Sequence, residues 1–265
     1  MSPDAVTWLR TSIVRYVAGF AGWEPGRPHP LGSRLLILAS TSPRRRELLS
    51  RLGIAFGVMS PGADEPEPEP GSDGAAYAQA MAQLKIDAAL HAIQRGLTLL
   101  ADDTSAERGA EPFALHGWID VVASDTTVQL GASLLGKPQD RADALRMHAQ
   151  LSGSQHRVLS SVCARTIALA HGDVVGGLDL VDETQIQFRE TTPIEREAYV
   201  DSGEAFGKAG AYAVQETGDR FVHGIHGRFS TIVGLPLAPL ADWLRAEGYP
   251  VPPADAVEAL DRRIG

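Results

Sequence analysis

A single cysteine, Cys163, is all the thiol chemistry this chain holds. That excludes an intrachain disulfide framework and any multi-cysteine metal site, and it fits a protein of the reducing cytoplasm. Cys163 itself reads as a small core hydrophobe in a strand. Long apolar runs are lacking too. No stretch approaches the length of a membrane span, and the moderately apolar segment from Trp8 to Trp23 is interrupted by Arg10 and Arg15, with no small-residue cleavage pattern after it. Positive charge is in short supply: Lys+Arg 24 stand against Asp+Glu 33, for a net charge of −9. Such a chain is a poor general binder of nucleic acid, whose affinity rests on neutralising many phosphates, although a local basic pocket can still hold a small polyanion. Familiar site motifs are missing as well. There is no Walker-type glycine-lysine loop, no dinucleotide-binding glycine fingerprint and no Gly-x-Ser-x-Gly nucleophile elbow. The histidines show no zinc-hydrolase spacing, and for His223 and His226, close together in a Gly-rich loop, exposure is the simpler reading than metal binding.

What is present is an ordinary globular composition, 44% hydrophobic and 22% charged. A chain of 265 residues can bury a large core, as one α/β domain or two small ones. The most informative segment runs from Leu35 to Leu49. It reads as a buried strand, a hydroxyl-rich turn (Ser40, Thr41, Ser42) and a helix that opens with Pro43 and then Arg44, Arg45 and Arg46. Arginines in a first turn repel the positive end of the helix dipole. The cost makes sense if an anion sits there, held by free backbone N–H groups, hydroxyls and guanidinium forks. The alternative is a solvated basic face.

From residue 34 onward strand and helix patterns alternate, which predicts an α/β fold. Strands are expected at Leu35–Ala39, Ala55–Ser60 and Trp118–Ala123, the last ending at Ser124-Asp125-Thr126-Thr127 or, alternatively, continued by Val128–Leu130. Two long alternating stretches, Val158–Leu169 and Val181–Phe188, are expected to pair antiparallel, and a last strand is expected at Ser230–Val233. Helices are expected over Pro43–Leu52, Ala75–Gln94, Asp140–Leu151, Pro193–Ser202 and Pro236–Glu247, with Gly53 and Gly203 as stops. Pro61–Gly74 is a Pro/Glu-rich exposed loop, and Ala205–His223 is a Gly-rich segment. Residues 1–33 form an N-terminal extension and linker, 34–250 the domain, with an inserted excursion over 97–117, and 251–265 a C-terminal tail.

Ionisable residues recur where α/β sheets place ligands, at predicted strand ends. Asp125 reads either as a structural turn aspartate or as a catalytic or metal-binding carboxylate. Lys137, between Gly136 and Pro138, is an exposed loop lysine or a pocket cation; Lys85, on an otherwise apolar helix, is a snorkelling lysine or a pocket cation. Glu65 is a metal ligand or part of a solvated acidic loop. Together with a phosphate-friendly helix start, this set suits a Mg²⁺-bound phosphoester.

From about Arg34 to Glu247 the chain closely resembles the Maf-type nucleotide pyrophosphatases, the septum-formation family. The resemblance rests on Leu38-Ala39-Ser40-Thr41-Ser42-Pro43-Arg44-Arg45, Ser60-Pro61-Gly62-Ala63-Asp64-Glu65, the helix around Lys85, Ser124-Asp125-Thr126 and Leu135-Gly136-Lys137-Pro138. It continues through Leu151-Ser152-Gly153, Tyr199-Val200-Asp201-Ser202-Gly203-Glu204, Lys208-Ala209-Gly210-Ala211-Tyr212-Ala213-Val214-Gln215 and Val233-Gly234-Leu235-Pro236-Leu237. The resemblance implies a mixed twisted sheet flanked by helices, similar to inosine triphosphatase, and a house-cleaning enzyme that hydrolyses a nucleoside triphosphate to the monophosphate and pyrophosphate. By analogy Ser40, Arg44 and Arg45 bind phosphate and the base side, Thr126, Lys208 and Gln215 complete substrate binding, and Lys85 and Lys137 add positive charge. Glu65 and Asp125 handle the metal, Mg²⁺ with Mn²⁺ or Co²⁺ as substitutes, and the water. Arg46 is left as a surface neighbour.

Arg44-Arg45, Thr126 and Gln215 resemble the family's pyrimidine type, acting on dTTP and UTP. The alternatives are the same reaction on a modified nucleotide such as m7GTP, and a catalytically weak nucleotide-binding regulator of cell division. A cytoplasmic homodimer binding neither nucleic acid nor membrane is implied. The chain departs from the family in its N-terminal extension and in the Lys85-to-Asp125 interval, roughly twenty residues longer than usual. It also has Gly207 in place of an aspartate and the loop Gly227-Arg228-Phe229-Ser230-Thr231.

Overall fold

The computed structural model describes residues 34–104, 117–169 and 172–261. In chain order the first half comprises β1 (Arg34–Ala39), α1 (Pro43–Ser50), β2 (Gly57–Met59), α2 (Gly74–Thr104), β3 (Trp118–Leu130), β4 (Ser133–Leu135) and α3 (Arg141–Leu151). The second half comprises β5 (Gln155–Ala168), β6 (Asp173–Phe188), α4 (Pro193–Asp201), β7 (Val222–His226), α5 (Phe229–Val233), α6 (Leu237–Ala246) and α7 (Ala254–Leu260). Among the described residues the strands form one seven-stranded mixed sheet, in the order β2-β1-β3-β5-β6-β7 with β4 folded back on β3. β1 is almost uniformly apolar because it lies inside the sheet, parallel to β2 on one side and β3 on the other, with Leu36, Ile37, Leu38 and Ala39 buried. The sheet is antiparallel from β3 outward.

Two apolar layers flank the sheet. On α2, Ala78, Ala82, Ile86, Ala89 and Ile93 recur every three or four residues and are buried, most of this stripe joining Ile37, Ala39, Ile119, Val121, Ala123 and Cys163 in one cluster. The β3 members of that set are odd-numbered, and the next odd position is Asp125; Lys85 stands beside Ile86. Strand alternation and helix periodicity therefore bring Lys85 and Asp125 to the same layer. Val122 and Val128 face the opposite cluster, built with α1, α3, α4, α5, α6 and α7 through residues such as Leu48, Met147, Tyr199, Val233, Leu240 and Val257.

Several elements differ from the sequence pattern. Asp125 is not at a strand end. β3 continues to Leu130 because β5 pairs with it residue by residue from Trp118 to Gln129, and β-branched Thr126, Thr127 and Val128 suit the pleat; the local turn chemistry loses to that ladder. Ser230–Val233, a β-branched run expected as a strand, lies within α5, stopped by the left-handed Gly234, and the sheet edge is taken by β7 instead. Residues 97–104 continue α2, whereas 105–116, like 1–33, lie outside the described residues. The stretch expected as a tail contains α7, and Asp261 after it accepts the Ser230 amide at 2.9 Å, capping the start of α5.

Candidate active site

The loop after β1 starts the site. Ser40 is buried and its Oγ accepts the Ser42 amide at 3.2 Å, while the Ser42 side chain caps α1 by accepting the Arg45 amide at 3.4 Å. Beside this loop opens a cavity of about 350 Å³. Ser40, Arg44, Arg45, Glu65, Lys85, Asp125, Thr126, Lys137, Lys208 and Gln215 all line it, so the fold brings every one of the expected site residues together. Arg46 is exposed and outside the lining.

Two carboxylates meet at one lysine. Lys85, 7% exposed, places its Nζ 2.5 Å from Asp125 Oδ1 and 3.1 Å from Glu65 Oε2. Its long stem runs through the apolar α2 layer and its head ends between two acids, which satisfies a buried ammonium and a buried carboxylate together. Glu65 reaches in from the Pro/Glu-rich loop, where proline rigidity replaces regular structure.

Arg45 and Arg44, adjacent in α1, do different things. The Arg45 Nε donates to the Gly234 carbonyl at 2.8 Å and its Nη2 to Thr126 Oγ1 at 3.0 Å. Ser124 Oγ donates to the same carbonyl at 2.8 Å, and Thr126 shares a hydrogen bond with Ser160 at 2.8 Å. Burial pushes the Arg45 pKa down, while the charges of Asp125 and Glu65 oppose that. Arg45 is thus a cross-tie between α1, β3 and the turn after α5, with Thr126 as one of its anchors. Arg44 is half-buried, Lys137 is exposed, and neither makes an ion pair among the described residues. Both charges face the cavity uncommitted.

The opposite wall is the segment that follows α4. Lys208 Nζ donates to the Glu204 carbonyl at 2.5 Å and lies 3.4 Å from Glu216 Oε2. Val214 and Gln215 line the cavity from the non-regular stretch beyond. Behind them sits an aromatic cluster in which His156 Nε2 and the Tyr212 hydroxyl share a 2.7 Å hydrogen bond, packed edge-on against Phe188. Burial lowers the His156 pKa to about 4, so its imidazole is neutral at neutral pH.

Sequence reasoning assigned no role to Tyr199, Glu204 or His156. Tyr199 and Glu204 lie five positions apart and hydrogen-bond at 2.9 Å, and the Gly203 stop between them was the available signal. No local signal announces the Arg45 tie, whose partners lie 81 and 189 positions away.

Charge summarises what the cavity can do. Five cationic side chains (Arg44, Arg45, Lys85, Lys137, Lys208) line it against two carboxylates, a local excess of positive charge in an acidic protein. That arrangement attracts a small polyanion and keeps oxygen donors at hand. Among the described residues no three of His, Cys, Asp and Glu cluster as a metal cage. Nor is any helix among them long and apolar enough to cross a membrane.

The family model described as "Maf-like protein" matches residues 35–247. A dTTP/UTP pyrophosphatase of Anaeromyxobacter sp. is 41% identical over 217 residues, covering 82% of this chain and 91% of that protein. One from Bordetella avium is 39% identical over 221 residues, covering 82% and 97%. A solved nucleoside triphosphatase (dITP/XTP pyrophosphatase) from Mycobacterium abscessus aligns over 86% of this chain and 97% of its own at 14% identity and a TM-score of 0.32, too low to carry an argument.

Proposed function

The chain belongs to the Maf family, and from that premise we propose that it hydrolyses a nucleoside triphosphate, with dTTP and UTP preferred, to the monophosphate and pyrophosphate. The observation that carries this reading is the Lys85 bridge to Asp125 and Glu65 inside a cavity otherwise rich in positive charge. Ser40 in the loop before α1 and Arg44 in its first turn, with Lys137, take the phosphates, which at this helix start also meet the Arg44 N–H, the first-turn amide that Pro43 and the Ser42 cap leave open. Water attacks the α-phosphorus, the bond to the bridging oxygen breaks, and pyrophosphate leaves with the electron pair. Cations fixed in advance around the developing charge are the main source of rate.

Asp125 has one oxygen on Lys85 and Glu65 likewise, which leaves the second oxygen of each for water or a divalent cation. The pair of carboxylates suits Mg²⁺, which takes one or two carboxylates together with substrate phosphates. The chemistry Mg²⁺ supplies when bound is neutralisation of phosphoryl oxygen charge. Gln215 and Thr126 stand on the base side. Action on a cytoplasmic nucleotide pool, as a homodimer, completes the proposal.

The test is pyrophosphate release across the common nucleotides and m7GTP, with and without Mg²⁺. Turnover greatest on dTTP and UTP supports it. A preference for m7GTP would redirect the substrate, and binding with no turnover would replace the enzyme with a regulator.

A further inference from the structure

We propose that Glu204 is a positioning residue that fixes the base-side wall of the cavity by holding both feet of the Ala213–Gly218 loop. This rests on the nucleotide reading above. The loop carries Val214 and Gln215 into the cavity lining, yet it is neither strand nor α-helix, so side chains must hold it. At its far foot Glu204 Oε2 accepts the Thr217 amide at 3.2 Å and also the Thr217 hydroxyl, and Oε1 accepts the Gly218 amide at 3.0 Å. At its near foot the link runs through Tyr199. The Tyr199 hydroxyl donates to Glu204 Oε1 at 2.9 Å and accepts the Ala213 amide at 3.2 Å.

The feet touch each other. A Cβ on Gly218 would fall 2.4 Å from the Ala213 carbonyl oxygen and 2.9 Å from the Tyr199 hydroxyl, so glycine is required there by space. The Tyr199 ring is fully buried between His148 and Phe221, with centroids 4.9 and 5.1 Å away, which makes it a rigid post. The Glu204 backbone carbonyl also accepts from Lys208 Nζ, tying a cavity cation to the same residue.

Four donors converge on this carboxylate, and only an ionised carboxylate offers enough acceptor sites. Burial raises the Glu204 pKa, but the hydrogen bonds from Thr217, Gly218 and Tyr199 outweigh it and hold the group below the usual range. Ser40, Arg44, Lys85 and Asp125 stand on other elements and make no bond to Glu204. Releasing the clamp should therefore disturb nucleoside recognition and spare the phosphate machinery.

The experiment uses the full chain, with kcat and KM for dTTP and UTP, and calorimetric Kd values for a nucleotide and for inorganic tripolyphosphate, which has no base. Glu204→Gln should raise KM about tenfold, with kcat and the tripolyphosphate Kd within about twofold of the parent, because an amide turns donors toward donors. Glu204→Asp, which keeps four acceptor sites, should recover part of the loss. Tyr199→Phe frees only the Ala213 foot and should raise KM by about threefold. If Glu204→Gln does not fold, Tyr199→Phe decides. The inference is overturned if kcat and tripolyphosphate binding fall together with KM, or if KM is unchanged in the folded variants. Absence of turnover by the parent on every nucleotide would refute the enzymatic reading alone. The same variants then support the clamp if only the nucleotide Kd weakens, and overturn it if both Kd values move together or neither moves.

Discussion

The ammonium of Lys85 lies 2.5 Å from Asp125 Oδ1, and both side chains are largely withdrawn from solvent. Each is the other's main compensation for burial, so the single and double substitutions are not additive. Lys85→Met strands Asp125 beside Glu65 and is expected to cost on the order of 3 kcal/mol. Adding Asp125→Asn should return a good part of that loss, a coupling of about 1–3 kcal/mol measurable by urea unfolding of the cycle. Simple additivity would mean that the contact contributes nothing.

Asp125→Asn alone keeps a hydrogen-bonding group beside Lys85 and should leave the chain folded. Its kcat on dTTP should fall by two or more orders of magnitude, a barrier increase of at least about 3 kcal/mol. Circular dichroism establishes the fold, and pyrophosphate release the loss. Turnover at the parental rate would remove Asp125 from the chemistry.

The neighbours Arg44 and Arg45 should separate cleanly. Arg45→Met loses two charge-assisted bonds, to Gly234 and Thr126, while the Gly234 carbonyl keeps Ser124 and Thr126 keeps Ser160, so the cost is that of the two bonds, about 2–3 kcal/mol. Arg44→Gln breaks no ion pair among the described residues and should leave stability within about 0.5 kcal/mol, while raising KM about tenfold through a lost phosphate contact. Denaturation midpoints and KM values on the two proteins check both halves. Equal loss of stability in the two would contradict the division of roles.

Gly234 sits where that tie ends. Its φ of 114° is in a region L side chains rarely adopt, and a Cβ there would meet Thr126 Oγ1 at 2.9 Å and Arg45 Nε at 3.3 Å. Gly234→Ala should therefore destabilise the protein by about 1–3 kcal/mol, read from thermal or urea unfolding. A neutral substitution would show that the turn relaxes freely.

How far these relationships can be read from sequence follows from their range. The apolar stripe on α2 and the alternation of β3 are short-period signals, and they already place Lys85 and Asp125 in one layer. The Ser42 cap and the Gly203 stop are equally local. Asp125 looked like a strand end because Ser-Asp-Thr is turn chemistry, and only the β5 partner, remote in sequence, overrides it. Ser230–Val233 has the β-branched side chains of a strand, but among the described residues no strand pairs with it, and burial plus the Gly234 stop make it helical. The candidate residues themselves were legible through the family motifs. The division between Arg44 and Arg45 was not, because adjacent residues on one helix differ only in which distant carbonyl each can reach.

His156 gives the protein a predictable acid dependence. Its pKa in the folded state is about 4, against an ordinary value of 6.5, because burial disfavours the imidazolium. Between those two values the unfolded chain binds more protons than the folded one, so stability is complete above about 6.5 and is lost as pH falls toward about 4. The gap corresponds to on the order of 3 kcal/mol. Burial lowers His148 as well, so it acts in the same direction. Unfolding free energies measured across that window should slope accordingly. In His156→Phe/Tyr212→Phe the hydrogen-bonded pair is removed together, so no buried hydroxyl is stranded, and the slope should flatten to the part that His148 contributes. An unchanged slope in the double variant would assign the acid sensitivity to other groups, such as carboxylates that are hydrogen-bonded in the fold.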